Sequence, residues 1–196
     1  MLDELRKLQA QGETWVSIGI EAENCNRSVN WVPWQSMADA FNMKTPTVYL
    51  TPEDLEDPEF WTLIDGMAVA GFYAYAPLKD YTVISRFPEL MDLYLEHGNE
   101  ISDLEFLRPL TNLRMFYVEN AFLPDLEILL DLQDKFLGLS CVGLWNCTVA
   151  DLSDFARRKH WFSEFLVWMP EEAKEQERWK GINAGTLAYF EYKEQE

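Results

Sequence analysis

Histidine, cysteine and aspartate are the residues here whose types could carry chemistry, and each is arranged differently. There are two histidines, His97 and His160. Histidine can pass a proton near neutral pH, but that work needs a nucleophile or carboxylate held beside it. His97 follows Glu96 where a turn is expected, and His160 sits in the basic run RRKHW, residues 157–161. Both read as solvated side chains. Three cysteines, Cys25, Cys141 and Cys147, lack the short paired spacings that hold zinc. No glycine-rich phosphate loop or serine elbow occurs. The inventory predicts no catalytic residue, no metal site and no cofactor. The alternative is an undetected enzyme, with a carboxylate pair assembled only by folding.

The aspartates are different, because three of them recur in phase. Asp103 lies in NEISDLEFL (99–107), Asp125 in AFLPDLEIL (121–129) and Asp151 in CTVADLSDF (147–155). A weaker copy, APLKDYTVI, covers 76–84. The phase markers 76, 99, 121 and 147 are 23, 22 and 26 residues apart. An aspartate fixed in phase can accept backbone N–H bonds where a turn or short helix begins. That scaffold role accounts for the spacing without a metal.

The residues before each marker set the register. Leu110, Leu113, Phe116 and Val118 are three, three and two residues apart, and Phe136, Leu139, Val142 and Leu144 repeat this. Phe87, Leu90, Leu93 and Leu95 keep the spacing with one extra residue in the following turn, as do Ile64, Met67, Ala70 and Phe72. Periods of about 20–29 residues with this pattern mark a unit that cannot bury its apolar face alone and must stack. The pattern resembles bacterial leucine-rich repeats of the internalin type, whose units read LxxLxxLxLxxNxIxDLxxL. Residues 99–116, NEISDLEFLRPLTNLRMF, carry the resemblance most fully. It implies an α/β solenoid with a parallel β-sheet on the concave face and short helices or turns on the convex side. It also implies that the Asn99 position turns its amide to neighbouring backbone, a role Cys147 mimics weakly and Ala121 cannot fill.

Alternation along a strand then places side chains on two faces. Leu93 and Leu95, Phe116 and Val118, and Val142 and Leu144 point inward. Their neighbours point to the other face: Asp92, Tyr94 and Glu96, then Met115, Tyr117 and Glu119, then Cys141, Gly143 and Trp145. A last strand around Phe165 and Val167 adds Leu166 and Trp168. Tyrosine and tryptophan bury much area at low entropic cost, so an aromatic row with acidic neighbours predicts a protein-binding surface. The candidate contact residues are Asp92, Tyr94, Glu96, Met115, Tyr117, Glu119, Trp145 and Trp168.

The 196 residues are 48% hydrophobic and 14% aromatic, which suits a single domain with one core. Residues 1–63 read as a non-repetitive N-terminal cap, 64–155 as the repeats and 156–196 as a C-terminal cap. Within the first cap, helices are expected over Leu2–Gln11 and Trp34–Met43, strands over Trp15–Ile20 and Thr47–Leu50, and a polar loop over Ala22–Asn30. Thr51, Pro52 and Asp54 form a helix-start signal, and Pro58 restarts a second helix. Beyond the repeats, Pro170–Trp179 reads as a polar helix and Thr186–Tyr192 as a strand. The net charge of −18 opposes nucleic-acid binding and favours a basic protein partner. Residues 61–155 hold 15 acidic and 5 basic side chains, whereas 156–196 hold 8 and 7.

The segment MLDELRKLQAQ is charged and mixed, so no signal peptide or transmembrane segment is expected. With reduced thiols, this predicts a cytoplasmic protein. The function expected is a non-catalytic protein-interaction module, in its sharpest form an immunity or inhibitor protein against a basic toxin. A structural repeat domain of a larger bacterial surface protein is the alternative.

Overall fold

The inward pairs organise everything else. In the computed structural model, which describes residues 2–21, 45–135, 138–158, 162–169 and 188–192, Leu93 and Leu95 lie opposite Phe116 and Val118, which lie opposite Val142 and Leu144. None of the six is more than 1% exposed. Their strands are β4 (Asp92–Leu95), β5 (Met115–Glu119) and β7 (Cys141–Trp145). One further strand on each side, β3 (Ala68–Ala74) and β9 (Glu164–Met169), continues the register, and β10 (Ala188–Tyr192) follows β9. Every pairing is parallel, so each strand satisfies backbone groups its neighbour would leave bare. A minor sheet pairs β6 (Phe122–Leu123) with β8 (Thr148–Val149), one layer further along the same units.

Two expectations at the first repeats are corrected. Phe72 and Ala74, not Ala70 and Phe72, stand opposite Leu93 and Leu95. The pattern slips by two residues because β3 is seven residues long and Ala70, Phe72 and Ala74 are all buried on one face. Alternation alone cannot choose between two adjacent inward pairs. Asn99 is exposed on a 3-10 turn, Gly98–Glu100, instead of turning inward. Gly98 takes the buried place, where a Cβ would come within 2.7 Å of the Ala121 Cβ. The extra residue in this turn is what moves the amide out.

The other face of the core comes from the connections. Asp80, Asp103, Asp125 and Asp151 each accept the N–H two residues on, from Thr82, Glu105, Glu127 and Ser153, at 2.8–2.9 Å. Each bond opens a 3-10 turn (Tyr81–Arg86, Glu105–Leu107) or a short α-helix (Glu127–Gln133, Ser153–Arg157). These segments bury Ile84, Leu107, Leu129 and Phe155 in the same core as the strands. The phased aspartates are therefore helix and turn starters, as their spacing predicts.

Strands β1 (Trp15–Ile20) and β2 (Thr47–Leu50), both within the expected N-terminal cap, join this sheet. Among the described residues the sheet runs β2-β1-β3-β4-β5-β7-β9-β10, so the chain places β2 outside β1 before returning to β3. The helix α1 (Leu2–Ala10) packs on α2 (Pro58–Ile64), Leu5 and Phe60 are fully buried in the core, and an exposed Arg6–Glu59 ion pair at 2.5 Å joins the two helices. The start signal at Thr51 forms: its N–H donates to the Asp54 carboxylate at 2.8 Å and opens a 3-10 helix, Pro52–Glu56. Trp61 of α2 stacks on Phe87 at 5.7 Å and carries the Arg86 guanidinium 3.3 Å above its ring. The expected loop 22–30, the helices over 34–43 and 170–179, and Cys25, Phe136 and His160 lie outside the described residues. Among the described residues no helix is long and apolar enough to cross a membrane.

Candidate binding face

The register turns the outward residues into rows. Tyr49 lies opposite Gly19, Gly19 opposite Tyr73, Tyr73 opposite Tyr94, Tyr94 opposite Tyr117, Tyr117 opposite Gly143, and Gly143 opposite Leu166. Four tyrosines thus share one line across the strands, interrupted by two glycines. The glycines are not gaps. A Cβ at Gly143 would overlap the Tyr117 ring, and one at Gly19 would sit 2.5 Å from the Tyr49 ring. Each ring lies over its neighbour's bare backbone, covering a strand position that has no side chain.

This packing decides which expected residues a partner can reach. Asp92, Met115 and Tyr117 are buried, at 3%, 7% and 7% exposure. Tyr117 is lost to solvent because Gly143 lets it collapse, and Asp92 lies beneath the Tyr73 hydroxyl, 3.5 Å away. Tyr94, Glu96, Glu119 and Trp145 are half-buried and form the reachable part of the row. For Trp168 only the backbone pairing with Trp145 is described. Tyr73 and Tyr75 belong to the same face, and the alternation in GFYAY, residues 71–75, was the signal for them once the register of β3 is corrected.

Electrostatics at this end of the sheet are one-sided. The Tyr94 hydroxyl donates to Glu119 Oε1 at 2.7 Å, and its ring meets Tyr75 at 5.6 Å. Burial, reinforced by that bond to Glu119, raises the Tyr94 phenol far above its ordinary value. Burial also pushes Tyr75 up to about 12, helped by Tyr49, Glu21 and Glu96. Both phenols therefore stay protonated through the physiological range. Glu96 and Glu119 follow the paired residues Leu95 and Val118, so both acidic residues lie at this end of neighbouring strands. Like charges so placed repel, and a cation between them relieves that cost.

Among the described residues, no comparable arrangement surrounds those that could do covalent chemistry. The His97 carbonyl accepts the Tyr81 hydroxyl, which anchors a turn. The Cys147 thiol donates to the carbonyls of Val118 and Trp145 at 3.4 and 3.3 Å, so it does stand in for the missing amide at its repeat position. Burial pushes that thiol up to about 12, which keeps it protonated and a poor nucleophile. Among the described residues no group of three or more His, Cys, Asp or Glu is placed to hold a metal ion. No protein family, curated protein or solved structure matches this chain.

Proposed function

We propose that this protein is a non-catalytic interaction module that binds a basic protein through the acidic, aromatic end of its outward sheet face. The cluster Tyr94, Glu96, Glu119 and Trp145 carries the reading. Glu119 pairs with Trp145 across β5 and β7, Tyr94 of β4 donates to Glu119, and Glu96 directly follows β4. Aromatic anchors supply contact area, and the carboxylates supply attraction for lysine or arginine. The net charge of −18 extends that attraction beyond the contact and opposes nucleic acid.

The scaffold in this reading is a leucine-rich-repeat-like solenoid. Chain-ordered strands β3-β4-β5-β7-β9, the recurring inward pair and the phased aspartate turns support it. No cofactor is required. The free thiols of Cys141 and Cys147 fit a reducing compartment and hence a cytoplasmic protein. The sharpest form is an immunity or inhibitor protein that covers the basic surface of a toxin or nuclease.

The test begins with a partner captured from extracts of the native cell and identified, then measured by interferometry against variants. Tyr94→Ala with Trp145→Ala should weaken the complex by about 2–4 kcal/mol, mostly through faster dissociation. Glu96→Gln with Glu119→Gln should slow association and flatten its salt dependence. If both double variants bind at wild-type rates, this face is not the interface and the reading fails.

A further inference from the structure

A second surface lies at the carboxyl ends of the central strands, and its chemistry is unlike the rest of the molecule. Asn120 follows β5 and Asn146 follows β7, both with left-handed backbone, φ 57° and 50°. Asparagine tolerates that conformation better than most residues, and the turn holds both side chains in fixed positions. The Asn146 amide donates to the Asn120 side-chain oxygen at 2.7 Å, and the Asn120 amide donates to the Glu96 carbonyl at 3.2 Å. This chain of amides has one orientation, because reversing either side chain would break a bond.

Beside it runs a groove of about 430 Å³ lined by Asn99, Asn120, Ala121, Phe122, Asn146 and Thr148. None of these six is charged, although the chain as a whole carries −18. Phe122 is 58% exposed, and it is the only large apolar side chain so exposed among the described residues. It stands in β6 directly across from Thr148 of β8. The groove thus combines one exposed ring, an ordered pair of amides, a third amide and a hydroxyl.

We propose that this groove binds a neutral saccharide. Beyond the bonds they already make, the Asn120 and Asn146 amides each keep a second N–H hydrogen, and their oxygens keep accepting capacity, which can serve neighbouring hydroxyls on a sugar ring. The apolar C–H face of the same sugar packs on an exposed aromatic ring, whose electron-rich face attracts those hydrogens. The absence of charge in the lining selects against other ligands. A cationic peptide would gain more on the adjoining face that carries Glu96 and Glu119 than from this uncharged lining, and an anion would meet an unfavourable overall field. The groove adjoins the end of the protein-binding face, since Asn120 and Asn146 directly follow Glu119 and Trp145, but none of its six lining residues is one the protein-binding reading uses.

The experiment uses the full chain with maltohexaose, cellohexaose and chitohexaose as neutral probes, followed by nitrogen-15 correlation spectra. At least one probe should shift the side-chain amide signals of Asn120 and Asn146. Phe122→Ala removes the ring at an exposed position. Asn146→Gly removes the amide while keeping a residue that accepts positive φ. Each should weaken binding by about ten-fold or more with the backbone spectrum otherwise preserved. No shift with any probe up to about 10 mM overturns the proposal, and so does wild-type affinity in either variant.

Discussion

At the scale of single residues, the contact between Tyr117 and Gly143 shows how a missing side chain can decide the exposure of another. Replacing Gly143 by valine would drive atoms into the ring above it, beginning with the first carbon added. The ring must then leave its buried position, and overpacking of this kind costs about 1–3 kcal/mol. Urea denaturation of Gly143→Val should show that loss. Tyrosine fluorescence should report greater exposure of the ring. A second residue-scale expectation concerns alkaline pH. The Tyr94 and Tyr75 phenols have folded values raised above the ordinary value of 10. The folded state therefore holds their protons more tightly than the unfolded chain does. Their contribution is fully present below pH 10 and is lost as pH rises beyond it. Unfolding free energy measured from pH 8 to 11 should fall above pH 10. Tyr94→Phe should reduce that slope, because phenylalanine has no proton to lose.

At the scale of elements, strand pairs and aspartate turns do different work. Phe116 is fully buried between the inward pairs of β4 and β7. Phe116→Ala should cost about 3–5 kcal/mol, because neighbouring units cannot close the cavity without breaking register. The measurement is again equilibrium denaturation, with β-sheet content followed by circular dichroism. Asp125 acts at one point only, accepting the Glu127 N–H at the start of the helix Glu127–Gln133. Asp125→Ala should cost about 1 kcal/mol and leave the sheet unchanged. The ordering of these two losses separates a core role from a turn-starting role. If Asp125→Ala proved as damaging as Phe116→Ala, the aspartate would be holding more than its own turn.

At the scale of the whole molecule, charge and topology set the behaviour. The surface ion pairs are exposed, including Arg108 with Glu105 at 2.9 Å and Lys79 with Glu56 at 2.8 Å, so each contributes little. Self-repulsion from a net charge of −18 acts on every part of the fold. Raising salt from about 20 to about 200 mM shortens the screening length severalfold. The melting temperature should therefore rise over that range, since the relief of repulsion outweighs the weakening of surface pairs. A fall would mean that the ion pairs dominate. The sheet order adds a different constraint. Because β1 sits between β2 and β3, residues 17–20 hold two neighbours in register at once. Loss of β1 would leave the β3 side of the repeats with an open edge.

Periodicity in the sequence by itself determined the inward pairs from Leu93 to Leu144, the phased aspartates, and the strands at 15–20, 47–50 and around Phe165. Each rests on a local rule, either alternation along a strand or an oxygen two residues before the N–H it accepts. Outward alternation likewise named Tyr94, Glu96, Glu119 and Trp145. Only the tertiary structure decided how those rows are covered, because the Tyr117 ring collapses onto a glycine 26 residues away in sequence. The β3 register and the displacement of Asn99 also lay beyond sequence, since one extra residue in a turn can be absorbed at several places. Chain order says nothing about spatial order, so the placement of β1 between β2 and β3 required the fold. The same holds for the amide-lined groove, whose asparagines meet only when parallel strands stack their turns.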